Sequence, residues 1–135
     1  MAFGAAEIRL LDTHTWIWSV DKNRRFERQF AEEIYRAGEN VAVSIISCWE
    51  ISMLVAKNRL DLGAPAGIWF EKVIAQSGIK ILNLTPEITA DAYTLPGTFH
   101  DDPADRMIVA TARSLDCLLL TDDKKILKYP HVRTA

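Results

Sequence analysis

The stretch VAVSIISCWEISMLVAKNRL, residues 41–60, combines a candidate strand and a candidate helix with no linker between them. Residues 41–47 are rich in Val and Ile, which predicts a short buried strand. Residues 48–60 have the apolar spacing of a helix. A strand that passes directly into a helix is the repeating unit of an α/β domain.

The same alternation extends along the rest of the chain. Further strands are predicted at IRLL (8–11), IKILNL (79–84) and CLLLT (117–121). Helices are predicted at 15–20, 24–39, 68–78 and 85–95 and after Asp102, with Gly78 and Thr85 as caps and 61–67 as a loop. The pattern therefore predicts one α/β domain over residues 1–135 with a mainly parallel sheet.

Composition excludes several classes of protein. The chain has 135 residues and a net charge of −2, which suits one soluble domain and weighs against a plain nucleic-acid coat. Cys48 and Cys117 lie in apolar stretches without metal-ligand spacing, which indicates a reduced, cytoplasmic setting. No apolar run reaches the ~18 residues of a membrane span. The N-terminus lacks signal-peptide features, and its first few residues are expected to be disordered or left over from cloning.

Acidic residues recur at the ends of the predicted strands. Asp12 follows the first strand, Glu50 lies three residues beyond the second, and Asp122 and Asp123 follow the last. Asp105 lies in the first turn of the helix within FHDDPADRMIVATARS, residues 99–114. Because the carboxyl ends of parallel strands share one edge of a sheet, these acids are expected to converge there.

Each acid also has a purely structural interpretation. Ser47 and Glu50 have the spacing of a capping box, and Asp102 before Pro103 is a typical helix cap. Asp12 could cap the helix that follows it, and Asp122 could be a solvated turn residue. These interpretations require separate coincidences at every strand end, which favours a shared acidic site.

A shared acidic site has a physical requirement. Two carboxylates about 4 Å apart repel by about 4 kcal/mol at an effective dielectric constant of about 20. A whole domain is stable by only about 5–15 kcal/mol. Several such contacts therefore call for a bound cation, and all-oxygen ligands suit Mg²⁺ or Mn²⁺. Such ions can activate water against a phosphodiester, so phosphodiester hydrolysis is the first reaction class considered.

Four segments carry a family resemblance: LLDTH (10–14), ISCWEI (46–51), HDDPADRMIVATA (100–112) and LLTDD (119–123). In order and spacing they resemble the PIN-domain family, specifically the VapC-type toxin ribonucleases of toxin–antitoxin pairs. The resemblance implies a three-layer α/β/α sandwich that cleaves RNA with Mg²⁺ or Mn²⁺. It also implies a homodimer held inactive by a small antitoxin protein.

The resemblance assigns the metal and catalytic positions to Asp12, Glu50, Asp105 and Asp123. The last follows a T-x-D pattern that begins at Thr121, so Asp122 is the variable middle position. Ala104 stands where the family often has Phe, a departure that affects packing rather than chemistry. The residues expected to support the site are Thr13, Asp102, Arg106 and Thr121.

Several other residues have two interpretations each. His14 is either a proton carrier or a solvated helix residue, and Arg106 either binds phosphate or forms a structural ion pair. A basic cluster is either a solvated helix face or an RNA-backbone contact; it comprises Lys22, Arg24, Arg25 and Arg28. The tryptophans are expected in the core or at an interface rather than as base-stacking platforms; they are Trp16, Trp18, Trp49 and Trp69.

An antitoxin is expected to lay an apolar helix against this domain and to direct an Arg or Lys toward the acids. Trp16, Trp49 and Trp69 are candidates for the contact surface.

Two other functions compete with the nuclease. A non-catalytic binding module could use the acids to dock a basic peptide. A receiver-like phosphoacceptor domain also gathers acids at strand ends, but its acceptor Asp closes a central strand. Here Asp105 opens a helix, and the strand of IKILNLT ends without an acid.

Overall fold

The fold is a four-stranded parallel sheet covered by helices, seen in a computed structural model that describes residues 7–21 and 24–135. The strands are β1 (Arg9–Leu11), β2 (Val41–Ser44), β3 (Lys80–Leu82) and β4 (Leu118–Leu120), in the order β3-β2-β1-β4. Seven helices lie in the described residues: α1 (Thr13–Val20), α2 (Arg24–Ala37), α3 (Ile45–Ala56), α4 (Ala66–Ser77), α5 (Pro86–Ala92), α6 (Pro103–Ser114) and α7 (Lys124–Leu127).

Alternate strand residues face opposite layers, as the period of two in a strand requires. One core cluster combines side chains of α6 with Leu10, Ala42 and Leu119. The other combines side chains of α1, α2, α3 and α4 with Leu11, Val43 and Leu120. The three-layer α/β/α architecture with a parallel sheet is therefore confirmed.

Local sequence signals position most of the helix ends. Thr85 accepts a hydrogen bond from the Ile88 backbone N–H (3.2 Å), and Pro86 opens α5 as predicted. Gly78 closes α4 with a φ of 68°, a left-handed conformation that glycine adopts without strain. Both caps were predicted from the sequence, and both are confirmed.

The junction of β2 and α3 differs from the prediction. The strand ends at Ser44, whose side chain accepts a hydrogen bond from the Ile46 N–H (3.1 Å), and the helix begins at Ile45. The predicted capping box from Ser47 to Glu50 is therefore wrong. Both residues lie inside α3, with Glu50 in its second turn.

Strand order creates a switch point between β1 and β4. The chain leaves β1 toward β2 on one side, whereas β4 pairs with the other side of β1. Open α/β sheets bind ligands in the crevice at such a point, outside the carboxyl ends of the strands. Asp12 follows β1 and Asp123 follows β4, so both lie at this crevice.

Some sequence predictions concern other parts of the chain. Residues 1–6 and Lys22 lie outside the described residues. Cys48 is half-buried and Cys117 is buried, and both thiols are free. Across residues 7–21 and 24–135, none of the helices has the length and apolar character to cross a membrane.

Candidate active site

Asp12 is a buried carboxylate with two structural partners. Its Oδ1 accepts a hydrogen bond from the Thr15 N–H (2.9 Å) and so caps α1, which confirms the helix-cap interpretation. Its Oδ2 accepts a hydrogen bond from the Thr121 hydroxyl. Asp12 is only 6% exposed, so these bonds fix the orientation of a carboxylate at the switch point. Thr121 thereby joins the end of β4 to the end of β1.

Glu50 reaches the same edge of the sheet from α3. The buried Thr13 hydroxyl donates to Ser47 Oγ (2.9 Å), which ties the start of α1 to the first turn of α3. Burial raises the pKa of Glu50, and the negative charges of Asp102 and Asp12 raise it further. The nearby Thr13 side chain opposes this rise in the pKa of Glu50. Glu50 is therefore a partly desolvated acid with other acids beside it.

Asp105 lies in the first turn of α6, where two groups hold it. Its N–H donates to Asp102 Oδ1 (2.9 Å), so the cap predicted at Asp102 is confirmed. Its Oδ2 lies 2.7 Å from His100 Nε2. Burial raises the pKa of Asp105 to about 6; the His100 hydrogen bond opposes the rise, and the charges of Asp102 and Asp123 add to it.

Asp123 and Asp122 follow β4 but make different contacts. Asp123 Oδ1 accepts hydrogen bonds from the first N–H groups of α7, and the Asp123 N–H donates to Thr121 Oγ1 (3.0 Å). Asp122 forms an ion pair with Arg25 (2.6 Å). It is half-buried and not the solvated turn residue that the alternative interpretation described. The charge of Asp122 is therefore compensated by Arg25, whereas Asp123 has no ion-pair partner among the described residues.

Together, the acids form a row along the carboxyl edge of the sheet. Asp12 and Asp123 line one cavity of about 170 Å³, with His14, Thr15, Trp18 and Asp122 completing its wall. Electrostatic repulsion links Glu50 to Asp12 and Asp102, and links Asp105 to Asp102 and Asp123. The structure thus brings Asp12 and Asp123 together in one cavity, whereas Glu50 and Asp105 lie outside its wall.

The row has the chemistry of a site for a hard divalent cation. Within the described chain, neither Lys nor Arg forms an ion pair with Asp12, Glu50, Asp105 or Asp123. The buried Thr15 Oγ1 beside them has no protein hydrogen-bond partner among the described residues. No three His, Cys, Asp or Glu side chains of residues 7–21 and 24–135 gather around one point. Mg²⁺ commonly uses one or two carboxylates plus waters, so the residues fit it.

Arg106 forms no ion pair with the residues that the structure describes, so the ion-pair interpretation is wrong, and the phosphate contact stays a prediction. Its Nε donates to Ala92 O (2.7 Å), and its Nη1 donates to the carbonyls of Phe99 and His100 (2.9 Å each). The guanidinium also lies over the Tyr93 ring, 5.3 Å from its centroid. Arg106 therefore clamps the segment between α5 and α6 through backbone carbonyls.

The tryptophans divide into core and surface. Trp16 and Trp69 are buried, with ring centroids 5.3 Å apart, which agrees with the expected core position and leaves little of either ring exposed to a partner. Trp49 is 53% exposed on α3 and stays a candidate contact. Trp18 is half-buried beneath Arg25, whose guanidinium lies 5.2 Å from the ring centroid.

The remaining polar residues lie on the surface. His14 is exposed beside the cavity, which agrees with a solvated helix residue. Arg24 and Arg28 are exposed on α2. Arg25 differs from both because it pairs with Asp122 at the edge of the site.

Two contacts of the site were not predicted from the sequence. His100 lies in the HDDPADR segment, five residues before Asp105, and that spacing was the available signal for their contact. Ser47 was assigned to a cap, and its contact with Thr13 depends on how α1 crosses α3. No sequence pattern at Ser47 indicates that contact.

Comparisons with known proteins agree with this geometry. The family model described as PIN domain matches residues 9–132. Ribonuclease VapC22 of Mycobacterium tuberculosis is 32% identical over 124 residues, which are 92% of this chain and 93% of that protein. DNA-bound VapBC from Salmonella typhimurium has a TM-score of 0.70 at 21% identity, covering 96% of this chain and 97% of that one. VapBC2 from Rickettsia felis bound to a promoter fragment has a TM-score of 0.70 at 17% identity, covering 95% and 97%.

Proposed function

Since this chain belongs to the PIN domain family, we propose that it is a metal-dependent endoribonuclease and the toxin of a toxin–antitoxin pair. The observation that carries the proposal is the row of acids at the switch point between β1 and β4, which form no ion pair with any Lys or Arg of residues 7–21 and 24–135. Ribonucleases of this family are generally dependent on divalent metals. For this chain, the donor set favours Mg²⁺ or Mn²⁺.

Each acid has a distinct part in the proposed site. Asp12 would bind the cation with a carboxylate of fixed orientation, because Thr121 and the Thr15 N–H already hold both carboxylate oxygens. Glu50, Asp105 and Asp123 would contribute carboxylate oxygens from three other elements, either to the ion directly or to its bound waters. A divalent cation bound there supplies a water of lowered pKa and stabilises charge on the leaving oxygen of the phosphodiester. The pKa values of Glu50 and Asp105 are raised, and a bound cation would stabilise the ionised form of both carboxylates.

A cleavage assay tests this function directly. The purified protein is incubated with structured and unstructured RNAs in Mg²⁺, Mn²⁺ or EDTA, and the ends of the products are mapped. We expect internal cleavage with either metal and none in EDTA. Intact RNA under every condition would instead favour a binding module whose acids dock a basic peptide.

A groove on the opposite side of α1 supports the partner part of the proposal. It measures about 730 Å³, and its wall includes apolar side chains from α1, α2, β2, α4 and the turn before β3: Val20, Phe26, Ile34, Val41, Val73 and Ile79. Trp16 also lines it and directly follows Thr15, which lines the acidic cavity. The residues that precede β2 and β3 also line the groove, so it lies toward the amino edge of the sheet, and an apolar antitoxin segment could bind there without contacting the acids. The implied homodimer stays a prediction.

Ile34→Glu is expected to weaken antitoxin binding more than about 100-fold. The substitution buries an unpaired carboxylate in the complex, which costs several kcal/mol, and each 1.4 kcal/mol is about tenfold in affinity. Co-purification with the product of the neighbouring gene, followed by a titration, measures the effect. Ile68→Glu is the matched control, because Ile68 is 57% exposed and lies outside the groove. Equal binding by both variants would place the antitoxin elsewhere.

A further inference from the structure

His100 makes the only side-chain contact to the Asp105 carboxylate among the described residues. Its Nε2 lies 2.7 Å from Asp105 Oδ2, and each of the two side chains is 21% exposed. Asp105 Oδ1 has no hydrogen-bond partner within residues 7–21 and 24–135. One oxygen of the carboxylate is therefore anchored, and the other is available to a ligand.

The backbone that carries His100 is itself held in place. Arg106, the residue after Asp105, donates from one nitrogen to the carbonyls of both Phe99 and His100 (2.9 Å each). The Phe99 ring packs against His100 at 4.2 Å between centroids and against Tyr129 at 4.9 Å. Phe99 is only 9% exposed, so the segment is attached to the core. His100 consequently approaches Asp105 from a fixed position.

From these contacts we infer that His100 is a positioning residue, which donates its Nε2 proton to Asp105 Oδ2 and so fixes the rotation of that carboxylate toward the divalent cation. Arg106 acts one step further away, because its carbonyl clamp sets where His100 lies. The inference rests on the proposed metal site. Hydrogen bonds that orient a ligating carboxylate typically contribute about 10–100-fold to metal affinity or activity.

Two substitutions of similar length separate the hydrogen bond from the bulk of the side chain. His100→Met removes the donor, whereas His100→Gln retains an N–H₂ group at the end of the side chain. Titration calorimetry with Mn²⁺ alone should show affinity about 10–100-fold weaker for His100→Met, with most of it recovered in His100→Gln. In the cleavage assay, His100→Met should lower kcat while the KM for RNA changes little.

His131→Met is the matched control, because His131 contacts the other face of the same aromatic cluster, at 5.4 Å from Tyr129. It should bind Mn²⁺ like the unchanged protein. If His100→Met does not fold, His100→Phe replaces it, since a ring can still pack against Phe99.

The inference is overturned if the donor-free variant binds Mn²⁺ and cleaves RNA as the unchanged protein does, or if His100→Gln is equally impaired. An unchanged protein that binds no Mn²⁺ would instead contradict the proposed function itself.

Discussion

Asp105→Asn is expected to lower RNA cleavage by at least about 100-fold. The substitution retains the size of the side chain and the α6 cap but removes a negative charge from the cation site. A metal ion contributes several kcal/mol of transition-state stabilisation, and each 1.36 kcal/mol is about tenfold in rate. Initial rates with saturating Mn²⁺ measure the loss. Losses of similar size are expected for Asp12→Asn, Glu50→Gln and Asp123→Asn.

Asp122→Asn is the matched control for this series. Asp122 is adjacent to Asp123, but the Asp122 carboxylate forms an ion pair with the Arg25 guanidinium. Its substitution should therefore reduce cleavage much less than Asp123→Asn. Equal losses at the two positions would show that the T-x-D register is misassigned. Unimpaired cleavage by Asp105→Asn would remove Asp105 from the metal site.

The sequence predicted the parts of this architecture that depend on local patterns. Apolar runs identified all four strands, and an acid after a strand indicated Asp12 and the pair Asp122 and Asp123, between which the family resemblance selected Asp123. The strands are near-continuous apolar runs in which Arg9 and Lys80 are the charged residues, and such runs require helices on both faces, which the structure has. Caps such as Thr85 and Asp102 were also predictable, since a cap bonds to backbone within three residues.

The contacts that could not be predicted depend on tertiary geometry. Ile45 and Ile46 are β-branched and indicated a longer strand, but Ser44 caps α3 and the helix starts there. Arg106 lies within a helix whose sequence suggests a charged partner, yet it donates hydrogen bonds to the backbone carbonyls of Ala92 and Phe99, which precede the helix. The ion pair of Arg25 with Asp122 joins residues far apart in the sequence. Secondary-structure propensity carries no information on which side chains of different elements come into contact.

Mn²⁺ is expected to raise the melting temperature of the protein by roughly 10 °C. A ligand that binds only the folded state stabilises it by RT ln(1 + [L]/Kd), which is about 2.7 kcal/mol at a 100-fold excess over Kd. A domain of this size gains roughly 3–5 °C for each kcal/mol. Thermal melts in EDTA and in Mn²⁺ measure the difference. Asp105→Asn should show a smaller rise, because one carboxylate no longer attracts the cation.

Without metal, Asp105→Asn should have the opposite effect and melt higher than the unchanged protein at neutral pH. The pKa of Asp105 in the folded protein is about 6, above its ordinary value of 3.8. The folded state therefore binds the proton more tightly, and stability from this group is present below pH ~4 and lost as pH rises through ~6. The melting difference between the variant and the unchanged protein should grow across that interval in EDTA.

Asp61→Asn is the control for both effects. Asp61 is exposed and bonds only the Gly63 N–H (2.8 Å), a contact that an Asn oxygen can also accept. It should neither raise the metal-free melting temperature nor reduce the response to Mn²⁺. If Mn²⁺ raises all three proteins equally, the cation binds away from Asp105, and the acidic row loses its role as the metal site. A metal-free Asp105→Asn protein that melts lower at neutral pH would show that contacts of the carboxylate outweigh the repulsion between the acids.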